Sequence, residues 1–247
     1  MCILGFHMVD SIHYQDLNIN ITPASDVCNI DIQSWEALAR HSKFINPYYE
    51  YWNLIPAIKY LGTDRTINII SVFRDNKLVA LFPIEICHQK FLSSLKLWQH
   101  SHCYDASPLI LGGLSFDSII ELILKRLNTQ YCQIDLHQDG LLHKKINRFS
   151  YAYRRAYIHN TNELKNIELK GKLLRENNRL LRHLKQDYNL DYVEHNDATR
   201  GIKEYASLEE HSWKAISGGA INSEKLVKQY YQELAQHGMN KKNFHFQ

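Results

Sequence analysis

Two apolar runs, RTINIISVF (residues 65–73) and KLVALFPIEI (77–86), stand on either side of Asp75-Asn76. Both are rich in β-branched and aromatic residues, and the dipeptide between them tolerates the left-handed backbone of a tight turn. The pair therefore reads as a β-hairpin, and the flanking sequence has to be arranged around two antiparallel strands.

Upstream, DLNINITP (16–23) alternates like a strand. DIQSWEALARHS (31–42) sets Trp35, Leu38 and Ala39 at helical spacing behind a capping Asp31. NPYYEYWNLIPAIKYL (46–61) starts a second helix with Asn46 as cap and Pro47 at the first position, and Pro56 is placed to kink or break it. Downstream come two short extended pieces, LKLWQH (95–100) and YDASPLIL (104–111), then an amphipathic helix, SFDSIIELILKRL (115–127). YCQIDLH (131–137) and RFSYAYRRAYIH (148–159) are further strands. The order is β-α-α-β-β-β-α-β-(α)-β.

All five prolines fall within the first 108 residues, and from about 161 the pattern is mainly helical. That shift predicts two domains, 1–158 and 159–247. The second opens with a long helix, NELKNIELKGKLLRENNRLLRHLKQDY (162–188), followed by a strand, LDYVEH (190–195). Helices ATRGIKEYASLEEHSWKA (198–215) and SEKLVKQYYQELAQHG (223–238) come next, and NFHFQ (243–247) begins another strand. After its opening helix this is β-α-α-β, the order that starts the first domain, and Trp213 echoes Trp35.

Composition excludes some classes. At 45% hydrophobic and 22% charged, the chain is globular in character and not disordered. No apolar run approaches the roughly 20 residues of a membrane span, and MCILGFHMVD lacks the basic start and cleavage site of a signal peptide. Residues 1–159 carry 15 basic and 14 acidic side chains, the remainder 14 and 12, so neither part has the excess of a nucleic-acid binder. Five widely spaced cysteines without a CxxC pair read as reduced thiols in a cytoplasmic protein.

A βααβββαβ order with a second copy behind an arginine-rich helix resembles tandem GNAT acyltransferases. The CelD-like branch, associated with cellulose biosynthesis, and the related Fem-type aminoacyl transferases are the nearest in pattern. The matching stretches are FINPYYEYWN, NKLVALFPIEI, CYDASPLIL, KLLRENNRLLRHLKQDYNLDYVEH and SLEEHSWKAISGGAINSEKLVKQYYQELAQHG. The resemblance implies an α+β or α/β tandem GNAT-like fold whose second copy is incomplete, truncated at its C-terminal end. It implies transfer of an acetyl or other acyl group from acyl-CoA, as co-substrate, to a small-molecule or polysaccharide-linked amine. A non-catalytic binding remnant without a coenzyme site is the alternative, and a Fem-type enzyme using aminoacyl-tRNA a further one. Nucleic acid is a partner only in that last case.

In such proteins a splayed strand polarises the thioester carbonyl, the next helix N-terminus binds pyrophosphate, and a base takes the amine proton. Gly112-Gly113 is either a phosphate loop or a plain turn. HSHCYDASP (100–108) offers soft ligands in no known zinc spacing, so no metal is expected. Tyr104 and Asp105 match a position lining the acceptor cleft, with a turn-stabilising Asp as the alternative. Arg175, Arg179 and Arg182 share one face of the long helix, opposite Leu173, Leu180, Leu181 and Leu184; they form a solvated face or bind an anion such as coenzyme A phosphates. Trp213 is a packing residue or a substrate contact, and Lys214 the better acceptor-site candidate. No catalytic base is identified. An unpaired NFHFQ edge predicts self-association and leaves the apolar stripes of the last two helices partly exposed.

Overall fold

A computed structural model describes residues 3–5, 16–89, 92–128, 131–133, 147–149, 171–189 and 197–239. The chain divides into two compact units, residues 1–151 with 197–244, and residues 152–196 with 245–247.

The first unit is built on a mixed sheet. Its strands are β1 (Ile3–Gly5), β2 (Leu17–Pro23), β3 (Ile67–Arg74), β4 (Lys77–Gln89), β5 (Leu92–Leu97), β6 (Leu109–Ile110), β7 (Tyr131–Gln133) and β8 (Asn147–Phe149). The order is β2-β3-β4-β5-β7-β1-β8, with β6 also paired to β4. Every pairing is antiparallel except β5 with β7. The hairpin is formed as its sequence demands: Asp75 and Asn76 have φ of 49° and 61°, and Arg74 faces Lys77. Two positive φ values in a two-residue loop give the turn whose twist matches that of the strands.

Between β2 and β3 lie α1 (Ile32–His41) and α2 (Tyr51–Leu61). The Asp31 carboxylate accepts the Ser34 N–H at 2.8 Å and caps α1, which buries Trp35 and Leu38. Asn46 accepts the Tyr48 N–H at 2.9 Å, but it caps a single 3-10 turn (Pro47–Tyr49), and α2 begins after it. Pro56 does not break α2. Its ring is buried, and that burial offsets the helical bond lost at its missing N–H. Helix α3 (Phe116–Leu127) carries the crossover that makes β7 parallel to β5, and stops at Asn128 in the left-handed region.

The helices expected in a second domain belong to the first unit: α5 (Ala198–Glu210), the one-turn α6 (Trp213–Ile216) and α7 (Lys225–Met239). α7 packs on α2 and on α5. Tyr230 Oη donates to Asn53 Oδ1 at 2.8 Å, while Glu233 takes the Lys59 ammonium at 2.6 Å and the Tyr60 hydroxyl at 2.7 Å. The apolar stripes are buried in part: Ala198, Ile202 and Ala206 on α5 and Val227, Tyr230, Leu234 and Ala235 on α7 are covered, while Tyr205, Leu208 and Leu226 stay exposed. Helix α2 covers the apolar face of α7, and α7 in turn packs on α5.

The second unit contributes α4 (Lys172–Tyr188), which follows Gly171 at φ +80° and ends at left-handed Asn189. The strand LDYVEH, the edge NFHFQ with its predicted self-association, and the boundary at 158/159 lie outside the described residues.

Candidate active site

The sheet supplies the site through a broken ladder. β5 pairs with β4 so that Leu97 faces Ile84, and three further steps would bring His100 opposite Leu81. Leu109 of β6 is there instead. Residues 98–108 thus leave the sheet and return to the same edge of β4.

Backbone bonds hold both ends of this excursion. Trp98 N–H donates to Pro83 O at 3.0 Å. The buried Asn46 side chain, besides its capping bond, donates to Asp105 O at 3.1 Å and Ser107 O at 2.6 Å. Asp105 Oδ1 accepts the Ser107 N–H at 2.8 Å, so this carboxylate stabilises the turn. Cys103 Sγ donates to Asp105 O at 3.1 Å, and burial pushes its thiol up to about 12, which keeps it protonated and inert.

The excursion sets His100 and His102 against the paired tyrosines of α7. His100 lies 5.6 Å from the Tyr230 ring and 5.4 Å from Trp98, centroid to centroid, and His102 lies 5.4 Å from Tyr231. The Tyr231 hydroxyl and His102 Nδ1 are bonded at 3.1 Å. His100 Nδ1 accepts the His102 N–H at 3.2 Å, so the neutral ring carries its proton on Nε2. That atom is buried and has no hydrogen-bond partner among the described residues. Burial, aided by the neighbouring His102, pushes His100 down to about 4. Burial also lowers His102, but the carboxylates of Glu224 and Glu209 oppose it. Burial raises Tyr231 to about 12 and Tyr230 further. At neutral pH the cluster holds two uncharged imidazoles and two protonated phenols.

His100 also lines a cleft of about 350 Å³ with Trp98, Gln99, the end of α2 and the start of α7. Its wall is polar and carries both signs: Arg65 pairs with Asp64 at 3.5 Å and Glu85 at 3.3 Å, and Lys96 and Glu224 face the same space. The cleft can therefore offer the neutral His100 imidazole and charged groups to orient a polar ligand; His102, bonded to Tyr231, is not among its lining residues.

Of the residues singled out in the sequence, Tyr104 is 72% exposed and stands edge-on to Tyr48, with ring centroids 6.2 Å apart. Trp213 is 73% exposed and is not a packing residue; the echo with fully buried Trp35 is one of sequence only. Lys214 is engaged in structure: its ammonium pairs with Glu209, and it lies 3.2 Å from the Tyr205 hydroxyl. Those two bonds raise its pKa, which leaves it a cation and no base. Glu209 is buried, and its other oxygen accepts the Ile221 N–H at 3.0 Å, so the pair locks the connection from α5 to α7. Arg175, Arg179 and Arg182 lie on α4, in the other unit, all exposed; Arg179 is bonded to Glu176 at 2.7 Å. Gly112 and Gly113 form an exposed turn, and only Gly113, at φ +88°, requires glycine. Among the described residues no group of His, Cys, Asp and Glu converges as a metal site. The tyrosine pair of KQYYQEL, Tyr230 and Tyr231, is visible in the sequence as part of the last helix but not as site residues, and Asn53 carries no local signal.

No protein-family profile and no curated protein sequence matches the chain. Among solved structures it is similar to an aminoglycoside acetyltransferase from an uncultured soil metagenomic sample, determined in complex with trehalose. That likeness covers 57% of this chain and 99% of the other at 10% identity, with a TM-score of 0.27, too distant to carry an argument. No helix among the described residues is long and apolar enough to cross a membrane.

Proposed function

We propose that the chain is an acyl-CoA-dependent N-acyltransferase of the GNAT type, acting at the cleft beside residues 98–108. One observation carries the reading. The ladder on β4 breaks where the parallel β5–β7 crossover begins, and the break presents a buried imidazole N–H with no described partner. In the proposed reaction the amine nitrogen attacks the thioester carbon; a C–N bond forms and the C–S bond breaks. His100 Nε2–H donates to the developing oxyanion, and His102 accepts the amine proton through water and returns it by the same route to the thiolate, which leaves as the coenzyme thiol. A narrower CelD-like role on a small-molecule or polysaccharide-linked amine rests on the ordered sequence stretches, and a cytoplasmic location on the widely spaced cysteines without a CxxC pair. The arginines of α4, in the other unit, are by themselves a candidate stripe for an anion such as coenzyme A phosphates.

A second reading, a binding module without transfer, is favoured by Asp117. This buried acid occupies the first turn of α3, where a pyrophosphate would have to sit. A thiol-release assay with acetyl-CoA and a panel of amines separates the two. Transfer predicts amine-dependent release that falls by about 10²–10⁴-fold in His102→Ala. A folded chain that releases no thiol with any amine overturns it in favour of the binding module.

A further inference from the structure

We propose a second binding site, for a small neutral polyol, on the face of the sheet beneath the start of α1. Asn20 of β2 and Ser71 of β3 are direct cross-strand partners and so point to one face, and Thr22, two residues along, shares it. Asn29 and Ser34 close the space from above, leaving a cleft of about 290 Å³. That is near the lower end for ligand pockets and suits a single sugar ring or a shorter polyol.

Ser71 is the anomaly that points to a ligand. It interrupts an apolar core strand, INIISVF, at 2% exposure, and its Oγ has no hydrogen-bond partner among the described residues. A buried hydroxyl without a partner is unfavourable, and an alanine or valine would serve packing better. Ser71 lines the cleft, so a ligand hydroxyl placed there would complete it.

The lining also selects the ligand class. Its polar groups are mostly uncharged amides and hydroxyls, able both to donate and to accept. The one carboxylate, Asp31, already accepts the Ser34 N–H and faces the positive end of α1, so it provides neither a free anion for a cation nor room for an anion. Phe73 and Leu78 add an apolar wall for C–H faces. Alternating hydroxyl and C–H surfaces are what a polyol presents.

The test uses the full chain with glucose and glycerol as probes, followed by saturation-transfer NMR and titration. Saturable binding is expected, with an apparent Kd raised about tenfold or more in Ser71→Ala and in the near-isosteric Thr22→Val. Without polyol, Ser71→Ala should melt no lower than wild type, because it removes only an unpartnered hydroxyl. His102→Ala should bind the probes as wild type does, which keeps this result independent of the candidate active site. No saturable binding, or binding lost in His102→Ala and retained in folded Ser71→Ala, overturns the proposal.

Discussion

Helices α7 and α4 are alike in composition, both charged and both periodically apolar, and they differ in what they do with the apolar face. α7 buries Val227, Tyr230 and Leu234 in the first unit, and gives the polar tips nearby defined partners in Asn53, Lys59 and Tyr60. α4 leaves Leu180, Leu181 and Leu184 at 46%, 54% and 40% exposure, and its ion pair with Glu176 is local. Periodicity permits docking in either helix. What distinguishes α7 is a pair of aromatic side chains with defined polar partners: the Tyr230 ring fills the core while its hydroxyl donates to Asn53 Oδ1, and the Tyr231 hydroxyl is bonded to His102 Nδ1.

The severest way to break that contrast is to remove the anchor. Tyr230 is 1% exposed, so Tyr230→Ala loses the ring contacts and leaves Asn53 Oδ1 without its donor. A loss of about 3–5 kcal/mol is expected in urea unfolding. A loss no greater than that of Leu181→Ala on α4 would mean that α7 is not anchored as described.

Next in size is the pH response of the histidines that α7 covers. His100 titrates at about 4 in the folded chain, and an unfolded histidine at about 6.5. Between those values the unfolded chain binds more protons, so stability present above pH 6.5 is lost as pH falls toward 4. For one group over that window the loss is about 3 kcal/mol. His100→Gln should flatten this part of the profile, and an unchanged slope would remove His100 from the buried cluster. Under the proposed mechanism activity falls with acid as well, as His102 takes up its proton.

A smaller effect is expected at the connection leading into α7. Glu209→Ala removes the acceptor for both Lys214 and the Ile221 N–H. Because Lys214 is partly solvated, the expected loss is about 2 kcal/mol, below that of a fully buried pair. A variant as stable as wild type would show that the turn holds without its carboxylate.

What could be read from the sequence was local. Asp75-Asn76 fixes its own turn, Asp31 its own cap, and Asn46-Pro47 the start of a helical turn, because each bond closes within a few residues. The site was only half legible. His100 and His102 drew attention as a cluster, but their setting depends on Leu109 returning to the strand edge that Leu97 left, and on tyrosines far along the chain. No local periodicity reports such contacts. Trp35 and Trp213 make the same point: both follow capped helical patterns, yet Trp35 has the Tyr49 carbonyl for its indole N–H and complete burial, and Trp213 is in solvent.

The smallest expected effect lies on α4 and tests the other side of the contrast. Arg175 and Arg179 are exposed, and the Arg179–Glu176 bond spans three residues of one helix between solvated groups. Such pairs are screened by solvent and contribute little. The double variant Arg175→Ala with Arg179→Ala should therefore leave the melting curve unchanged. If the stripe holds the coenzyme phosphates, the same variant should bind coenzyme A more weakly, with a reduced dependence of affinity on salt, because two cations that attract the anion have gone. Calorimetric titration and a melting curve on one preparation distinguish the roles. Unchanged coenzyme affinity with a clear fall in melting temperature would make the arginines structural, and would show that α4, like α7, has a packing partner.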